Sequence, residues 1–539
     1  MIKSVSLLTT SEKHNIPFEK NQKHKIVIDF NDFNLSEVNA FDIEIVFSES
    51  IAQFRNHDYT WVNCNEDRMA NEYCPKIIRL QNGQLVQANI TNGIWEVNKK
   101  DSFKLLWRFN PEFAGSITNY LGHSNRKNIS QSNKKNHFPE RLTLLFPENS
   151  ALEFSRSKYP FTAIACFTDH CDFDTKENLE QQRAFFKDNK VKVTKGFFLN
   201  HYSKRSNNAS FQNEKDELLK WKEDGHELCY HSLSQSLKSE SESYEDFQNF
   251  VPPLNNIKVW IDHGFQPYNF SLLKNNILSE KDFEENLKCK NINVLWNYID
   301  SGVSTTGVIN QFNTKHFTLS SFLKGNKDLG LVKKMQLMIK NIIFHYYNDE
   351  DMILKYKNTA GNFKKVIFQK KIKSFFPFVK DFLSLFSCIF SVILCWKSAK
   401  NKPYKLAKYS PVVFKHIIQD EEFYIFQTLE MLDFQKSLSK ENIENLINEK
   451  GVFIAHTYFS VPMEYHKGKL FSSENKIDQK VSENFKILGE KIQNKEIWNP
   501  TLSELIEYWN DFEKAIFDIE PNGSVFVSNN IDLQIRHVI

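Results

Sequence analysis

Hydrophobic and polar positions follow two different rhythms along this chain, with the change near residue 160. Over the first 150 residues, apolar residues occur in short alternating runs bounded by Asn, Asp, Gly or Lys, as in 25–30 (KIVIDF), 40–47 (AFDIEIVF) and 103–109 (FKLLWRF). Such runs are typical of antiparallel strands, and no long helical period separates them. The pattern predicts an all-β sandwich domain over residues 1–155.

After residue 156, apolar strand patterns alternate with helical ones. The run 159–170 (YPFTAIACFTDH) is typical of a strand buried on both faces. Further strands are predicted at 193–200, 226–232, 256–264, 293–300, 451–459 and 523–529, and helices at 175–189, 213–224, 279–289, 421–437, 440–450 and 501–516. This alternation indicates parallel strands with right-handed crossovers, hence an α/β layer or barrel over 156–330 and 410–520.

The segment 331–409 interrupts the alternation. Residues 331–410 contain 16 lysines and four acidic residues, a net charge of +12, so the rest of the chain carries −9. Residues 382–396 include no charge, but these 15 residues are fewer than the roughly 20 that span a bilayer. The segment is predicted to be an interfacial helix or re-entrant hairpin with its lysines on anionic headgroups. A buried helix pair covering the barrel is the alternative.

Composition narrows the class of protein. The 539 residues suggest two or three domains, and 41% hydrophobic with 25% charged residues is typical of globular protein. A net charge of +3, without a P-loop or dinucleotide fingerprint, predicts no nucleic-acid partner. The eight cysteines form no CxxC pair and are expected to be reduced thiols. With no signal-like N-terminus, a cytoplasmic location is expected, peripheral on the inner membrane face if the basic segment binds lipid.

Polar clusters follow the predicted strands of the second region. They contain, in chain order, Asp169, His170 and Asp172; His226, His231 and Gln235; His263 and Tyr268; Trp296 and Asp300; and His456. Because parallel strands end on one side of a sheet, these residues are expected to converge there. Carboxylates and imidazoles suit a divalent metal such as zinc, which needs about three protein ligands and an open position. Such an ion acidifies water while a nearby carboxylate or imidazole moves protons.

The order of these clusters resembles the polysaccharide deacetylase (NodB-like) family over roughly residues 158–310 and 410–515. The resemblance implies a distorted (β/α) deacetylase-like barrel and metal-dependent removal of an acyl group from an amino sugar of a surface polysaccharide or its lipid-linked precursor. It also implies that Asp169 is the base, His456 the general acid, and Asp300 the residue that orients a catalytic group. His170 and His231 stand where the family has metal ligands.

The chain departs from the family pattern at several positions. His170 replaces a second Asp, Gln235 replaces a second His, and the sequence before Tyr268 lacks the family's Arg. Asp172, His226 and His263 are the candidates to complete the metal site. Tyr268, Gln235 and Trp296 are predicted to bind the carbohydrate substrate.

Other interpretations remain open at this point. The 168–174 turn could cap a helix through Asp174 or Thr175, His231 could be a buried structural histidine, and His226 fits a structural turn. A catalytically silent, glycan-binding protein with the same cleft is the main alternative function. PHP-type phosphoesterases also carry Thr-Asp-His after a strand, but their earlier His-x-His is missing here, so they rank lower.

Overall fold

The structure is a computed structural model of the 539-residue chain. It describes residues 2–10, 12–30, 33, 40–111, 114–120, 127–131, 141–263, 279–296, 308–343, 350–367, 369–386, 394, 396–461, 469–473 and 475–539.

Two antiparallel sheets make up most of the N-terminal region. The strands of the first are β1 (Ile2–Leu8), β2 (Lys13–Asn15), β5 (Phe41–Phe47), β8 (Arg68–Ala70), β11 (Ile94–Asn98) and β12 (Asp101–Phe109). The strands of the second are β3 (Phe18–Gln22), β4 (Lys25–Asp29), β6 (Ile51–Arg55), β7 (Trp61–Asn63), β9 (Ile77–Leu80), β10 (Leu85–Ala88) and β15 (Arg141–Leu145). Their orders are β2-β1-β5-β12-β11-β8 and β3-β4-β15-β10-β9-β6-β7. A separate hairpin pairs β13 (Ser116–Tyr120) with β14 (Lys127–Gln131).

The predicted N-terminal sandwich is therefore confirmed as two sandwich-like sheets. Alternate residues such as Ile43 and Ile45 are fully buried between them. Trp95 and Trp107 are also fully buried, with ring centroids 5.7 Å apart. Both tryptophans thus belong to the core and are not open to a sugar.

A ten-stranded sheet forms the second region. Its strands are β17 (Ala163–Asp169), β18 (Thr194–Phe197), β19 (Glu227–His231), β20 (Val259–Ile261), β21 (Val294–Trp296), β22 (Val413–Ile418), β23 (Glu421–Phe426), β24 (Leu429–Glu430), β25 (Val452–Thr457) and β28 (Ile497–Trp498). The order is β22-β23-β21-β20-β19-β18-β17-β25-β24, with β28 beside β17. β22 alone runs antiparallel to its neighbour, and the other pairs are parallel. The predicted strand–helix alternation is confirmed.

The segment 421–430 bends this sheet round. β23 pairs with β21, whereas β24, which is separated from β23 by only two residues, pairs with β25 at the other end of the strand order. The sheet is therefore curled into a half-barrel. The helix predicted over 421–437 was wrong for its first ten residues, because Phe423 and Ile425 alternate into the core and β23 gains ladder bonds on both sides.

Thirteen helices are described. They are α1 (Lys176–Asp188), α2 (Phe211–Glu223), α3 (Glu240–Asn249), α4 (Glu280–Cys289), α5 (Leu319–Gly325), α6 (Leu331–Ile342), α7 (Glu350–Ile367), α8 (Phe375–Phe386), α9 (Lys405–Tyr409), α10 (Phe434–Ser437), α11 (Lys440–Asn448), α12 (Gln479–Gln493) and α13 (Leu502–Lys514). Thr175 and Thr501 begin α1 and α13 with capping boxes. Among these helices, none combines the length and apolar character needed to cross a bilayer.

The remaining short strands lie in the linker and the C-terminal region. They are β16 (Ala151–Phe154), β26 (Phe471–Ser473), β27 (Lys476–Ile477), β29 (Phe517–Ile519), β30 (Val525–Val527) and β31 (Ile535–Val538). β31 pairs with β16, so the end of the chain returns to the strand that joins the two regions.

Side-chain direction along β17 decides which residues can reach the inside of the curled sheet. Ile164 and Cys166 belong to the core shared with the sandwich region, whereas Ala165 and Phe167 belong to the core beneath the helices. Because successive strand residues point to opposite faces, even positions of β17 face inward and odd positions face the helices.

Candidate metal centre

Four histidines meet where the parallel strands end. His231 is the last residue of β19, His263 follows β20 by two residues, His456 is near the end of β25, and His170 follows β17 directly. Ring centroids of His170 lie 4.7 Å from those of His231 and 4.0 Å from those of His456. The His231 and His263 centroids are 5.0 Å apart.

Three groups in this cluster lie close enough together to hold a metal ion. Nε2 of His231 lies 3.0 Å from Oδ2 of Asp172, and Nε2 of His263 lies 3.0 Å from Oδ1 of the same carboxylate. One ligand atom from each residue lies within 4.8 Å of the other two. Of the five residues predicted as ligands, Asp172, His231 and His263 therefore form one group.

The hydrogen bonds around His231 favour a cation in this group. Nδ1 of His231 lies 3.3 Å from the carbonyl oxygen of Ile261, which can only accept, so Nδ1 carries the proton. In the neutral ring, Nε2 then points a lone pair at the Asp172 carboxylate. Burial lowers the pKa of His231 despite Asp172, which disfavours the imidazolium that could otherwise relieve this contact. A divalent ion between the nitrogen and the oxygen would relieve it.

Asp172 is held as a carboxylate. Burial alone would raise its pKa, but His263 and His231 outweigh burial and keep the pKa well below its usual value. The residue lies in a tight turn after β17, in which the amide of Asp174 donates to the carbonyl of Cys171. The backbone amide of His263 donates to Oγ of Ser232 at 3.0 Å, which fixes the segment after β20 against the end of β19.

His170 and His456 form a second part of the site beside the three candidate ligands. Thr168 and His456 are register partners in β17 and β25. Oγ1 of Thr168 also donates to the Ala455 carbonyl, which adds a side-chain hydrogen bond between the two strands. The His170 ring is buried, and its Nε2 has no hydrogen-bond partner among the described residues. Burial, reinforced by neighbouring histidines, lowers the pKa of His170 well below its usual value, so the ring is neutral near pH 7.

Two aromatic rings border these histidines. Trp296 lies edge-on to His170 and His456, with centroid distances of 4.6 and 4.8 Å, and its indole donates to Oγ1 of Thr428. The Trp296 side chain is buried beneath the two histidines, so its ring is not accessible to a substrate. Tyr458 lies 5.0 Å from both imidazole rings and is only half-buried.

Asp169, the predicted base, points away from the histidines. It continues the odd, helix-facing positions of β17 and is buried in an ion pair with Lys195 of β18. Lys195 also donates to Asp174 at 2.7 Å and to Gln182 of α1 at 3.0 Å. Burial raises the pKa of Asp169 to about 6, against the lowering effect of the Lys195 ammonium. This carboxylate stabilises the fold below the site instead of facing it.

Other predicted residues lie elsewhere or outside the described residues. His226 precedes the opposite end of β19, where its Nδ1 accepts from the Val193 amide, and is not part of the histidine cluster. Gln235 binds the backbone of the loop 202–209 at both ends of its amide, through Tyr202 and Ala209. Tyr268 and Asp300 lie outside the described residues.

Lys195 and Tyr458 were missed by sequence reasoning. Lys195 could have been found from the apolar strand 193–200, because a lysine in a buried strand needs an opposite charge, and its register partner is Asp169. Nothing in the sequence pattern indicated a role for Tyr458 except its position two residues after His456.

Comparison with known proteins leaves the family open. No family model and no curated protein matches this chain. Solved structures with similarity include a xylosidase from Aspergillus niger, at 9% identity and a TM-score of 0.20 over 57% of this chain and 43% of that one. A GH31 dextranase from Flavobacterium johnsoniae complexed with glucose matches at 7% identity and a TM-score of 0.24, over 59% of this chain and 53% of that one.

A mutant of the same dextranase, complexed with isomaltotriose, matches at 8% identity and a TM-score of 0.23, over 60% of this chain and 54% of that one. The chain thus spans about half the length of these structures. At these TM-scores the likeness carries no argument about site or activity.

Proposed function

We propose that this protein is a metal-dependent hydrolase that removes an acyl group from an amino sugar. The observation that carries the metal dependence is the Asp172 carboxylate, which lies 3.0 Å from Nε2 of both His231 and His263. The substrate class rests on the resemblance to polysaccharide deacetylases, with their distorted (β/α) barrel as the expected form of the curled sheet.

The residues present fit a divalent ion such as zinc. Asp172, His231 and His263 would hold it, which makes two nitrogen ligands and one carboxylate and leaves a position for water. When bound, the ion would supply an acidified water and polarise the amide carbonyl. The Ile261 carbonyl orients the His231 ring, as a partner on the other ring nitrogen does for metal-bound histidines.

Proton transfer falls to His170 and His456. His170 is neutral and its Nε2 is unpartnered among the described residues, so it can accept a proton as general base in place of Asp169. The ring of His456 stacks on that of His170 at 4.0 Å, which supports a role for His456 as the general acid that protonates the leaving amine. The partly exposed ring of Tyr458, beside both imidazoles, provides a surface on which a sugar can stack.

A direct test is amide hydrolysis by the full chain. We expect the zinc-loaded protein to release free amine and acetate in equal amounts from oligosaccharides of N-acetylated hexosamines. The Asp172→Asn and His231→Ala variants should lose this activity by at least about 100-fold, because the ligand set is broken. His14→Ala, which changes a histidine on the surface of the sandwich region, should retain it.

Two outcomes would overturn the hydrolase. One is the absence of release from every such sugar by a protein that holds zinc. The other is sugar binding that protects the protein against thermal unfolding while no amine or acetate is released. That result would favour the catalytically silent, glycan-binding alternative.

A further inference from the structure

Helices α7 and α8 form a hairpin within the basic segment. The side-chain amide of Asn362 in α7 donates to Asp381 of α8 at 2.9 Å, and the rings of Phe363 and Phe378 lie 5.7 Å apart. The two helices are joined through a short turn of 3₁₀ helix at Ile372–Ser374. Residues 364–367 and 369–376, from the last turn of α7, this connection and the start of α8, are called the hairpin tip below.

The hairpin exposes an unusual share of large apolar side chains. Of the 20 exposed large hydrophobic residues among those described, 11 lie between 331 and 396. At the tip, Ile372 is 84% and Phe376 81% exposed, and Ile367 and Phe375 are also exposed. On α8, Phe382, Leu383 and Phe386 are exposed as well, and no described residue of that helix is buried. Among the described residues, these apolar side chains of the hairpin are therefore not covered by the rest of the chain.

Positive charge surrounds these apolar side chains. The tip contains five lysines and no acidic residue, namely Lys364, Lys365, Lys370, Lys371 and Lys373. All five are exposed, and none is paired with a carboxylate in the part of the chain that the structure describes. A contact between two copies of the tip would bring ten like charges together, whereas an anionic surface complements them.

Helix α6, which precedes the hairpin in the chain, packs on the rest of the described protein. Ile342 at the end of α6 packs with Leu319 of α5, and the side-chain amide of Asn341 donates to the Tyr404 hydroxyl at 3.1 Å. The described residues that flank the hairpin in the chain, Ile342 before it and Trp396 after it, therefore pack in one cluster with Leu319 of α5.

We propose that the hairpin tip docks this protein on an anionic lipid surface. Ile372, Phe375 and Phe376 enter the boundary between headgroups and acyl chains, and the five lysines lie among the headgroups. α8 has 12 residues and is about 18 Å long, so it lies in the interface and does not span the bilayer. This inference does not depend on the proposed hydrolase activity.

The test is co-sedimentation of the full chain with vesicles of phosphatidylcholine, with and without phosphatidylserine. We expect binding to the anionic vesicles, weak binding to phosphatidylcholine alone, and loss of binding as salt rises and shortens the screening length. The K371E/K373E variant should lower the vesicle partition coefficient by at least about tenfold. I372N/F376N should lower it by a similar factor, because it removes the inserting side chains.

Matched controls change the same residue types away from the tip. K480E/K486E makes the same charge change on exposed lysines of α12, and L237N/V251N removes two exposed apolar side chains elsewhere. Both should bind vesicles as the unaltered chain does. Tip variants that sediment as fully as the controls would overturn the proposal. So would a dimer that I372N/F376N converts to monomer with unchanged vesicle binding, because the tip would then be an interface between copies.

Discussion

Lys195 is the residue on which the carboxyl end of β17 depends most directly. Its ammonium group is fully buried and contacts two carboxylates, Asp169 and Asp174, which lie on either side of His170 and Asp172 in sequence. Burial of the ammonium opposes its charge, but Asp169 and Asp174 outweigh burial and raise the pKa of Lys195. The turn that carries His170 and Asp172 is thus held from below by one positive charge.

Replacing Lys195 with Met should leave two buried carboxylates without their cation. We expect Lys195→Met to lower the free energy of unfolding at pH 7 by about 3–5 kcal/mol, measured by urea denaturation. Without Lys195, the pKa of Asp169 should rise above its present value of about 6. The folded state then binds a proton more tightly than the unfolded chain. The loss in the free energy of unfolding should therefore become smaller as the pH falls toward 5. Lys192→Met, which removes an exposed pair with Glu504, should cost far less. An equal loss in both variants would contradict this account.

The orientation of Asp169 shows which features of the site can be predicted from the sequence and which cannot. The ends of the strands were enough to predict that His170, His231, His263 and His456 would be close together. Strand alternation also separates Asp169 from His170, because adjacent residues face opposite sides, but the family resemblance favoured Asp169 as base. That Asp172 and not His170 joins the two histidines depends on the turn after β17, which no sequence period specifies.

At the scale of elements, Glu449 connects the end of α11 with the segment before α5. Its carboxylate accepts from the side-chain amides of Asn310 and Asn313 at 2.7 and 2.9 Å and lies 3.3 Å from Nε2 of His316. Partial burial favours a raised pKa, but these hydrogen bonds and the His316 charge outweigh it and lower the pKa of Glu449 to about 2. Asn310 in turn accepts from the Val452 amide, at the start of β25.

Glu449→Gln should therefore destabilise the protein in a pH-dependent way. Because the folded pKa is depressed, the contribution of Glu449 is full above about pH 4.5 and is lost as the pH falls toward 2. We expect a loss of about 1–2 kcal/mol at pH 7, after discounting for the quarter of the side chain that is exposed. The check is to compare the thermal unfolding of Glu449→Gln with that of the unaltered chain at pH 7 and pH 3, with Glu441→Gln on the exposed face of α11 as control. A stability difference between Glu449→Gln and the unaltered chain that is larger at pH 3 than at pH 7 would refute this prediction.

Helix ends were largely predictable and the strand at 421–426 was not. Thr175 and Thr501 mark the starts of α1 and α13 because their side chains satisfy the first free amides, a local effect that the sequence displays. The segment 421–430 carries acidic residues and a spacing compatible with a helix. Pairing with β21 and β25, which are remote in sequence, overrides that preference.

Across the whole molecule, one buried carboxylate connects the C-terminal strand with the N-terminal sandwich region. Glu153 in β16 is fully buried and accepts two hydrogen bonds from Arg55 of β6 at 2.7 and 2.8 Å. The same carboxylate accepts from Arg536 in β31 at 2.7 Å. The sequence division at residue 155 did not anticipate this link, because the C-terminal strand forms only by pairing with β16.

Glu153→Ala should leave the buried Arg55 guanidinium without its partner. We expect a loss of about 3–5 kcal/mol in the free energy of unfolding, with earlier proteolysis of the C-terminal strand. The control is Glu148→Ala, which removes an exposed pair with Lys23 and should leave the urea midpoint nearly unchanged. Indistinguishable midpoints for the two variants would show that the buried pair does not hold β31.

Binding of a divalent ion by Asp172, His231 and His263 can be measured as the metal content of the purified protein. After dialysis against zinc and removal of the excess, elemental analysis should find about one zinc ion per chain in the unaltered protein and in His14→Ala. His231→Ala and His263→Ala should lose the ion while their circular dichroism stays unchanged. No zinc in the unaltered protein, or full occupancy in both folded variants, would contradict the claim.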